Sequence, residues 1–199
     1  MPLSDADILA RVQRGDHELF GQLVIRYSDR FLRVAESKLG NRAAAEDVVQ
    51  ETFLAAFAAR DSYKLDFAAS TWLWTILLNL CRTRWKQRQS RPWKHTVVDQ
   101  DGLTSSLVQQ GPSALTKLIA EEENLLLQRL LDELPEPQAD ALRLRFFGGL
   151  KYEEIATATS CTLSGAKRRV KTGLQRLSER IQTLNSLAGP FAESKEETP

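Results

Sequence analysis

Most of the residues that build catalytic or disulfide-stapled proteins are scarce in this chain. It has two cysteines, Cys81 and Cys161, far apart in sequence, so neither a disulfide framework nor a metal knuckle is expected. Its two histidines, His17 and His95, lack ligand spacing and an evident carboxylate partner, and no glycine-rich phosphate loop is present. An enzyme is therefore the least expected class, with no catalytic residue, no metal and no cofactor. Runs of alternating β-branched residues are missing, which argues against strands. The richest apolar stretch, Trp72 to Cys81, is broken by Thr75 and Asn79 and falls short of the roughly 20 residues that span a bilayer, so no membrane insertion is expected. Residues 1–16 scatter Asp5, Asp7, Arg11 and Arg14 among aliphatics and lack the apolar block of a secretory signal, which points to the cytoplasm. Net charge is nearly absent too: 27 Lys and Arg stand against 26 Asp and Glu.

Helical periodicity is abundant. With 42% hydrophobic and 27% charged residues the composition is that of a folded globular protein, and the apolar positions recur at helical spacing almost throughout. The fold class expected is all-α. Glycine and proline are nearly absent from residue 43 to 90, then Pro92, Gly102, Gly111 and Pro112 punctuate a polar stretch. This predicts two small helical domains, residues 1–91 and 118–185, joined by a flexible linker over 92–117 and followed by a tail over 186–199.

Divided this way, the charge becomes informative. Arg82, Arg84, Lys86, Arg88, Arg91 and Lys94 form a run without an acidic residue, and Lys167, Arg168, Arg169, Lys171, Arg176 and Arg180 are accompanied only by Glu179. An acidic segment from Glu121 to Glu136 lies between them. Two basic patches on two modules suit a polyanion gripped at two points, although solvated helix faces would read the same way singly.

In the second unit, Leu127, Leu130, Leu131 and Leu134 follow one helix face that Pro135 ends. A helix from about Pro137, with Ala139, Leu142 and Phe146 inward, stops at Gly148-Gly149. A short helix over Tyr152 to Ala158 and a tight turn precede a basic helix capped by Thr162, with Leu163, Ala166, Val170, Leu174 and Leu177 as the expected buried stripe. Short helix, turn and basic helix make a helix-turn-helix whose second helix enters the major groove. Thr162, Ser164, Gly165, Lys167, Arg168, Arg169 and Lys171 are the candidate DNA-binding residues, since Arg and Lys reach guanine edges and phosphates.

In the first unit, a helix over Arg42 to Phe57 turns Ala45, Val49, Phe53, Ala56 and Phe57 inward. Asp47, Gln50, Glu51 and Leu54 fall at i, i+3, i+4 and i+7 and place a leucine among polar groups on an exposed ridge. That mixture suits docking, because a central leucine is desolvated while its neighbours fix register; an ordinary solvated face with one stray leucine is the plainer reading. Trp72, Leu73, Ile76 and Leu77 read as core, whereas Trp85 and Trp93, flanked by cations, suit bases that stack on rings.

Taken in order, these blocks resemble the extracytoplasmic-function group of bacterial sigma factors, which keep only regions two and four. Arg14-Gly15-Asp16 with Phe20 and Leu23, then Ala45-Glu46-Asp47-Val48-Val49-Gln50-Glu51-Thr52-Phe53-Leu54, then Thr71-Trp72-Leu73 with Ile76, Asn79-Leu80-Cys81-Arg82 and Trp85, are similar to region two. Leu134-Pro135-Glu136, Arg145, Tyr152-Glu153-Glu154-Ile155-Ala156 and Lys167 to Leu177 are similar to region four. The resemblance implies that Asp47, Gln50, Glu51 and Leu54 dock on core RNA polymerase. It implies that the first unit recognises and melts the minus-ten element of promoter DNA, with Tyr63, Lys64, Asp66, Asn79, Arg82, Arg84, Trp85, Lys86 and Arg88 as contacts. The second unit would read the minus-thirty-five element. The family often employs an anti-sigma factor, though nothing in residues 91–118 identifies one.

Three positions depart from the family pattern. Ala69 stands where an aromatic usually precedes the Ser-Thr-Trp-Leu block, Ser160 replaces the usual turn glycine, and Gly165 replaces a threonine or valine. Two other readings remain at this point: a helix-turn-helix regulator without sigma activity, and a helical adaptor or decoy that has lost DNA reading.

Overall fold

A computed structural model describes residues 3–64, 67–90 and 114–188, all in helices, turns and short connections. Asp66, Trp93, most of the expected linker and the end of the tail lie outside the described residues. Among the described residues eight α-helices follow in order: α1 (Asp5–Gln13), α2 (Phe20–Leu39), α3 (Arg42–Ala58), α4 (Ala69–Ser90), α5 (Ala114–Asp132), α6 (Glu136–Phe146), α7 (Tyr152–Ala158) and α8 (Leu163–Ala188). The all-α expectation holds, while α5 begins inside the span read as linker.

The helix boundaries follow from local chemistry. Ser4 caps α1 by accepting from the Asp7 N–H at 3.1 Å, and Asn41 caps α3 through Ala44 at 2.8 Å. Between α2 and α3, Gly40 takes a left-handed φ of 65° and ends α2 with its N–H on the Glu36 carbonyl. The result is a tight α2–α3 hairpin, against which α1 and α4 pack. Its centre is aromatic: Phe31 lies 4.6 Å from the Trp74 ring and 5.4 Å from that of Phe53, centroid to centroid.

In the second unit, α6 packs across α8, and α7 lies beside both. The buried stripe of α8 differs from the expected one. Ala166, Val170 and Leu177 are buried, but Leu163 and Leu174 are exposed. Gly173 takes the inward place instead, because α6 crosses there and a Cβ at 173 would stand 2.9 Å from Leu142 Cδ1. Phe146, expected inward, is also exposed. It sits at the last position of α6, where Leu150 folds back onto the core and its N–H reaches the Leu144 carbonyl.

The two units do not stand apart. A single hydrophobic cluster runs through both, with α6 against α2 and α7 against α4. Arg30 donates to the Gly148 carbonyl at 2.7 Å, and Arg143 to the Ser37 carbonyl at 3.1 Å. Gly148 is required at this seam, since a Cβ there would meet the ring of Trp74 at 3.2 Å and Leu150 at 2.9 Å.

Candidate functional site

Three surfaces carry the residues singled out by sequence. The first is the outer ridge of α3, whose opposite face is pinned by Ala45, Val49, Phe53 and Ala56 in the core. Asp47 and Gln50 are exposed, Glu51 is half-buried, and Leu54 is 71% exposed. The ridge does not end at α3: Arg84 of α4 donates to Glu51 at 2.8 Å. That hydrogen bond, then the charge of Glu51 and of Asp47, raises the pKa of the Arg84 guanidinium. Arg84 therefore joins the acidic ridge to the basic strip on α4.

The second surface is that strip with the loop before it. Asn79, Lys86 and Arg88 are exposed, although Arg88 also donates to the Leu39 carbonyl at 2.6 Å and so closes the end of α2. Trp85 is half-buried against the core, with Lys38 Nζ 5.9 Å from its ring centre, and is less open than its charged neighbours suggested. Arg82 is turned toward the second unit, where it donates to Asp140 at 2.9 and 3.1 Å.

In the loop, Gln13 of α1 donates to the carbonyls of Arg60 and Tyr63 at 2.8 and 2.9 Å. Tyr63 is buried, its hydroxyl donates to the Phe67 carbonyl, and its ring lies 5.1 Å from that of Trp72. Burial, then the charge of Asp5, pushes its pKa up, keeping the hydroxyl protonated. Lys64 is exposed, and Phe67 is 59% exposed. A cavity of about 300 Å³ opens here, lined by Tyr63, Lys64, Phe67, Thr71 and Trp72, with Thr157 of α7 on its far wall. Phe67, on the rim of this cavity, was not among the residues singled out by sequence. Its signal was available: of the two aromatics between α3 and α4, Tyr63 and Phe67, it is the one nearer the position where Ala69 lacks a ring.

The third surface is the outer face of α8. Thr162 accepts from the Gly165 N–H at 3.1 Å and caps the helix as expected. Ser164, Lys167, Arg168 and Lys171 are exposed, and Gly165 is half-buried. Arg169 instead braces the turn, donating to Thr159 Oγ1 at 3.1 Å. The turn itself runs through Ser160 at φ 50°, the one non-glycine residue with positive φ among the described residues. No group of metal-binding side chains occurs among the described residues, nor does any of their helices have the length and apolarity to cross a membrane.

The sequence matches two family profiles, Sigma-70 region 2 over residues 23–91 and Sigma-70, region 4 over residues 124–177. It is 30% identical over 187 residues to the RNA polymerase sigma-H factor of Pseudomonas aeruginosa, covering 90% of this chain and 95% of that one. It is 31% identical over 190 residues to the ECF RNA polymerase sigma-E factor of Escherichia coli, covering 92% and 96%. Among solved structures, the sigma factor RpoE in complex with the anti-sigma factor NepR from Bartonella quintana is 26% identical with a TM-score of 0.57, covering 82% and 96%. CnrH in complex with the cytosolic domain of CnrY has a TM-score of 0.70 at 22% identity, covering 90% and 97%.

Proposed function

The chain belongs to the sigma-70 family of RNA polymerase sigma factors, in its extracytoplasmic-function group, and on that premise we propose how its surfaces divide the work of initiation. It is a sigma factor: it binds core RNA polymerase and promoter DNA. In our reading residues 1–91 form the docking and melting body, residues 118–185 the minus-thirty-five body, and residues 92–117 the connection. The ridge of Asp47, Gln50, Glu51 and Leu54 is the docking surface, with Leu54 as its desolvated centre. The loop holding Phe67 offers a stacking face to an unpaired base, and Lys64, Asn79, Arg84, Lys86 and Arg88 meet the adjoining phosphates. Ser164, Lys167, Arg168 and Lys171 meet duplex DNA from the recognition helix. The work is binding, without bond chemistry of its own, and takes place in the cytoplasm. An anti-sigma factor, the partner of the Bartonella relative, is a further expected ligand.

The observation that carries this reading is Leu54 at 71% exposure on a helix whose opposite face is enclosed. Leu54, one turn beyond Glu51, faces water and adds little buried surface to the fold. Replacing Asp47 and Glu51 together by Lys should abolish copurification with core polymerase and run-off transcription, while circular dichroism stays unchanged. Undiminished binding overturns the ridge. A regulator lacking sigma activity would bind DNA with a negative salt dependence yet give no specific transcript with core enzyme; an adaptor would show neither.

A further inference from the structure

Asp140 of α6 is fully buried, and it faces the other unit. Lys38 of α2, 3% exposed, donates to one carboxylate oxygen at 2.6 Å, and Arg82 of α4 donates to the other at 2.9 Å. Glu136 completes the cluster at 3.1 Å from Lys38 and 3.7 Å from Arg82. Along the same seam Arg30, stacked 5.5 Å from the Trp74 ring centre, donates to Gly148, and Arg143 reaches Ser37. A lysine and an aspartate taken from water together are tolerated only while each holds the other. The seam is therefore a built contact whose charges come from both units.

We propose that this cluster is an autoinhibitory latch: Asp140 holds the two units closed, withholds Arg82 from nucleic acid, and sets α7 against the base-capturing cavity. The proposal rests on the reading of the two units as minus-ten and minus-thirty-five bodies. Elements so named are centred about 25 base pairs apart, roughly 85 Å along the duplex at 3.4 Å per step. A compact chain of this length has a radius of gyration of about 16 Å and is about 40 Å across. The closed molecule cannot span both elements, and the wall that Thr157 gives the cavity beside Phe67 and Trp72 narrows access to it. The α3 ridge stays exposed in the closed state, with Leu54 facing solvent. Core polymerase can thus engage before the latch releases, and phosphate groups that take Arg82 compete directly with Asp140.

The test uses the full chain without polymerase, with small-angle scattering and binding of a labelled oligo-dT strand as readouts. Asp140→Asn leaves Lys38 and Arg82 facing each other with only the partly exposed Glu136 as counter-charge. The expected result is a radius of gyration larger by several ångström and oligo-dT binding tighter by about tenfold, as the competent fraction rises. The double variant Lys38→Met with Asp140→Leu replaces the charge pair by apolar groups and should return the molecule to wild-type dimensions, which separates release from unfolding. Arg30→Gln, acting on the same seam away from the cluster, should also expand the molecule. Wild-type radius and wild-type oligo-dT affinity in both Asp140→Asn and Arg30→Gln overturn the latch. Run-off transcription by the wild-type chain with core enzyme tests the underlying reading separately, because its failure leaves the scattering result to decide the latch alone.

Discussion

Residues 5–88 enclose Phe20, Tyr27, Phe31, Phe53, Tyr63 and Trp74, whereas among its described residues the second unit buries Leu130, Leu131, Leu142, Leu144, Leu150, Leu177, Ile155, Val170 and a set of alanines. Aromatic rings supply large contact areas and edge-to-face geometry, so the first unit is locked by a few big pieces. The second is thin: its helices approach closely over Ala139, Ala156, Ala166 and Gly173, and part of its surface is covered by the first unit. The contrast matches the tasks proposed for each. Prying a base from its stack needs a platform that does not yield, while laying a helix into a groove needs only the helix and its cap.

One pair of substitutions breaks this comparison if it is wrong. Phe31→Ala should cost about 3–5 kcal/mol, since Phe31 is fully buried between Trp74 and Phe53. Leu142→Ala in the second unit should cost about 2 kcal/mol, the low end for buried leucine, because little large side-chain volume surrounds it. The tryptophans at 72, 74, 85 and 93 all precede the second unit, so fluorescence reports the first unit and, through Trp74 beside Gly148, the seam, while far-ultraviolet dichroism reports both units. Phe31→Ala should lower the denaturant midpoint of fluorescence. Leu142→Ala should give dichroism an earlier transition, which fluorescence follows only through the change at Trp74 on the seam. Identical shifts in both signals for both variants would mean the two units melt as one.

The same contrast has an alkaline form. Cys81, at the seam on α4, has its thiol pushed up to about 12, by burial first and against the lowering charge of Lys38. Cys161, in the turn of the second unit, is half-buried. In the unfolded chain a thiol releases its proton near pH 9, while folded Cys81 keeps it. Its contribution is therefore complete below about pH 9 and declines as pH rises toward 12, at about 1 kcal/mol per unit. Tyr27, raised by burial and by its hydrogen bond to Asp5, acts with the same sign at higher pH. Denaturation of Cys81→Ala should show a flatter loss of stability between pH 9 and 11 than the parent chain, and at pH 8 iodoacetamide should label Cys161 in preference to Cys81.

Much of the fold was legible because it is written at short range. Asn41, Thr162 and Gly148-Gly149 mark helix ends by their own chemistry, and the inward face of α3 follows from spacing alone. The α8 stripe was misread because glycine carries no hydropathy signal, so Gly173 was passed over for Leu174. Phe146 was misread because a helix end lets its last side chain swing outward. The latch was illegible for a different reason: Lys38, Arg82 and Asp140 belong to three helices distant in sequence, and only the packing of α6 on α2 brings them together. Asp140 lies off the Ala139, Leu142 and Phe146 face that spacing marks as inward, and it is the packing of α6 on α2 that encloses it.

The smallest expected effect tests the turn that the sequence flagged. Ser160 replaces a glycine of the family pattern, and the backbone there takes φ 50°, where a Cβ crowds the following carbonyl. The turn holds nonetheless, because the Ser160 N–H reaches the Thr157 carbonyl at 3.1 Å and the Cys161 N–H reaches Ala156 at 2.8 Å. Ser160→Gly removes the crowding of about 1–2 kcal/mol. It also loosens the unfolded chain, which returns about 0.5–1 kcal/mol of that gain. The net should be stabilisation of about 0.5–1 kcal/mol, visible as a later dichroism transition with the fluorescence midpoint unmoved. Should fluorescence move by the same amount, the strain at Ser160 would be felt across the seam, and the second unit would owe its stability to the first rather than to its own turn.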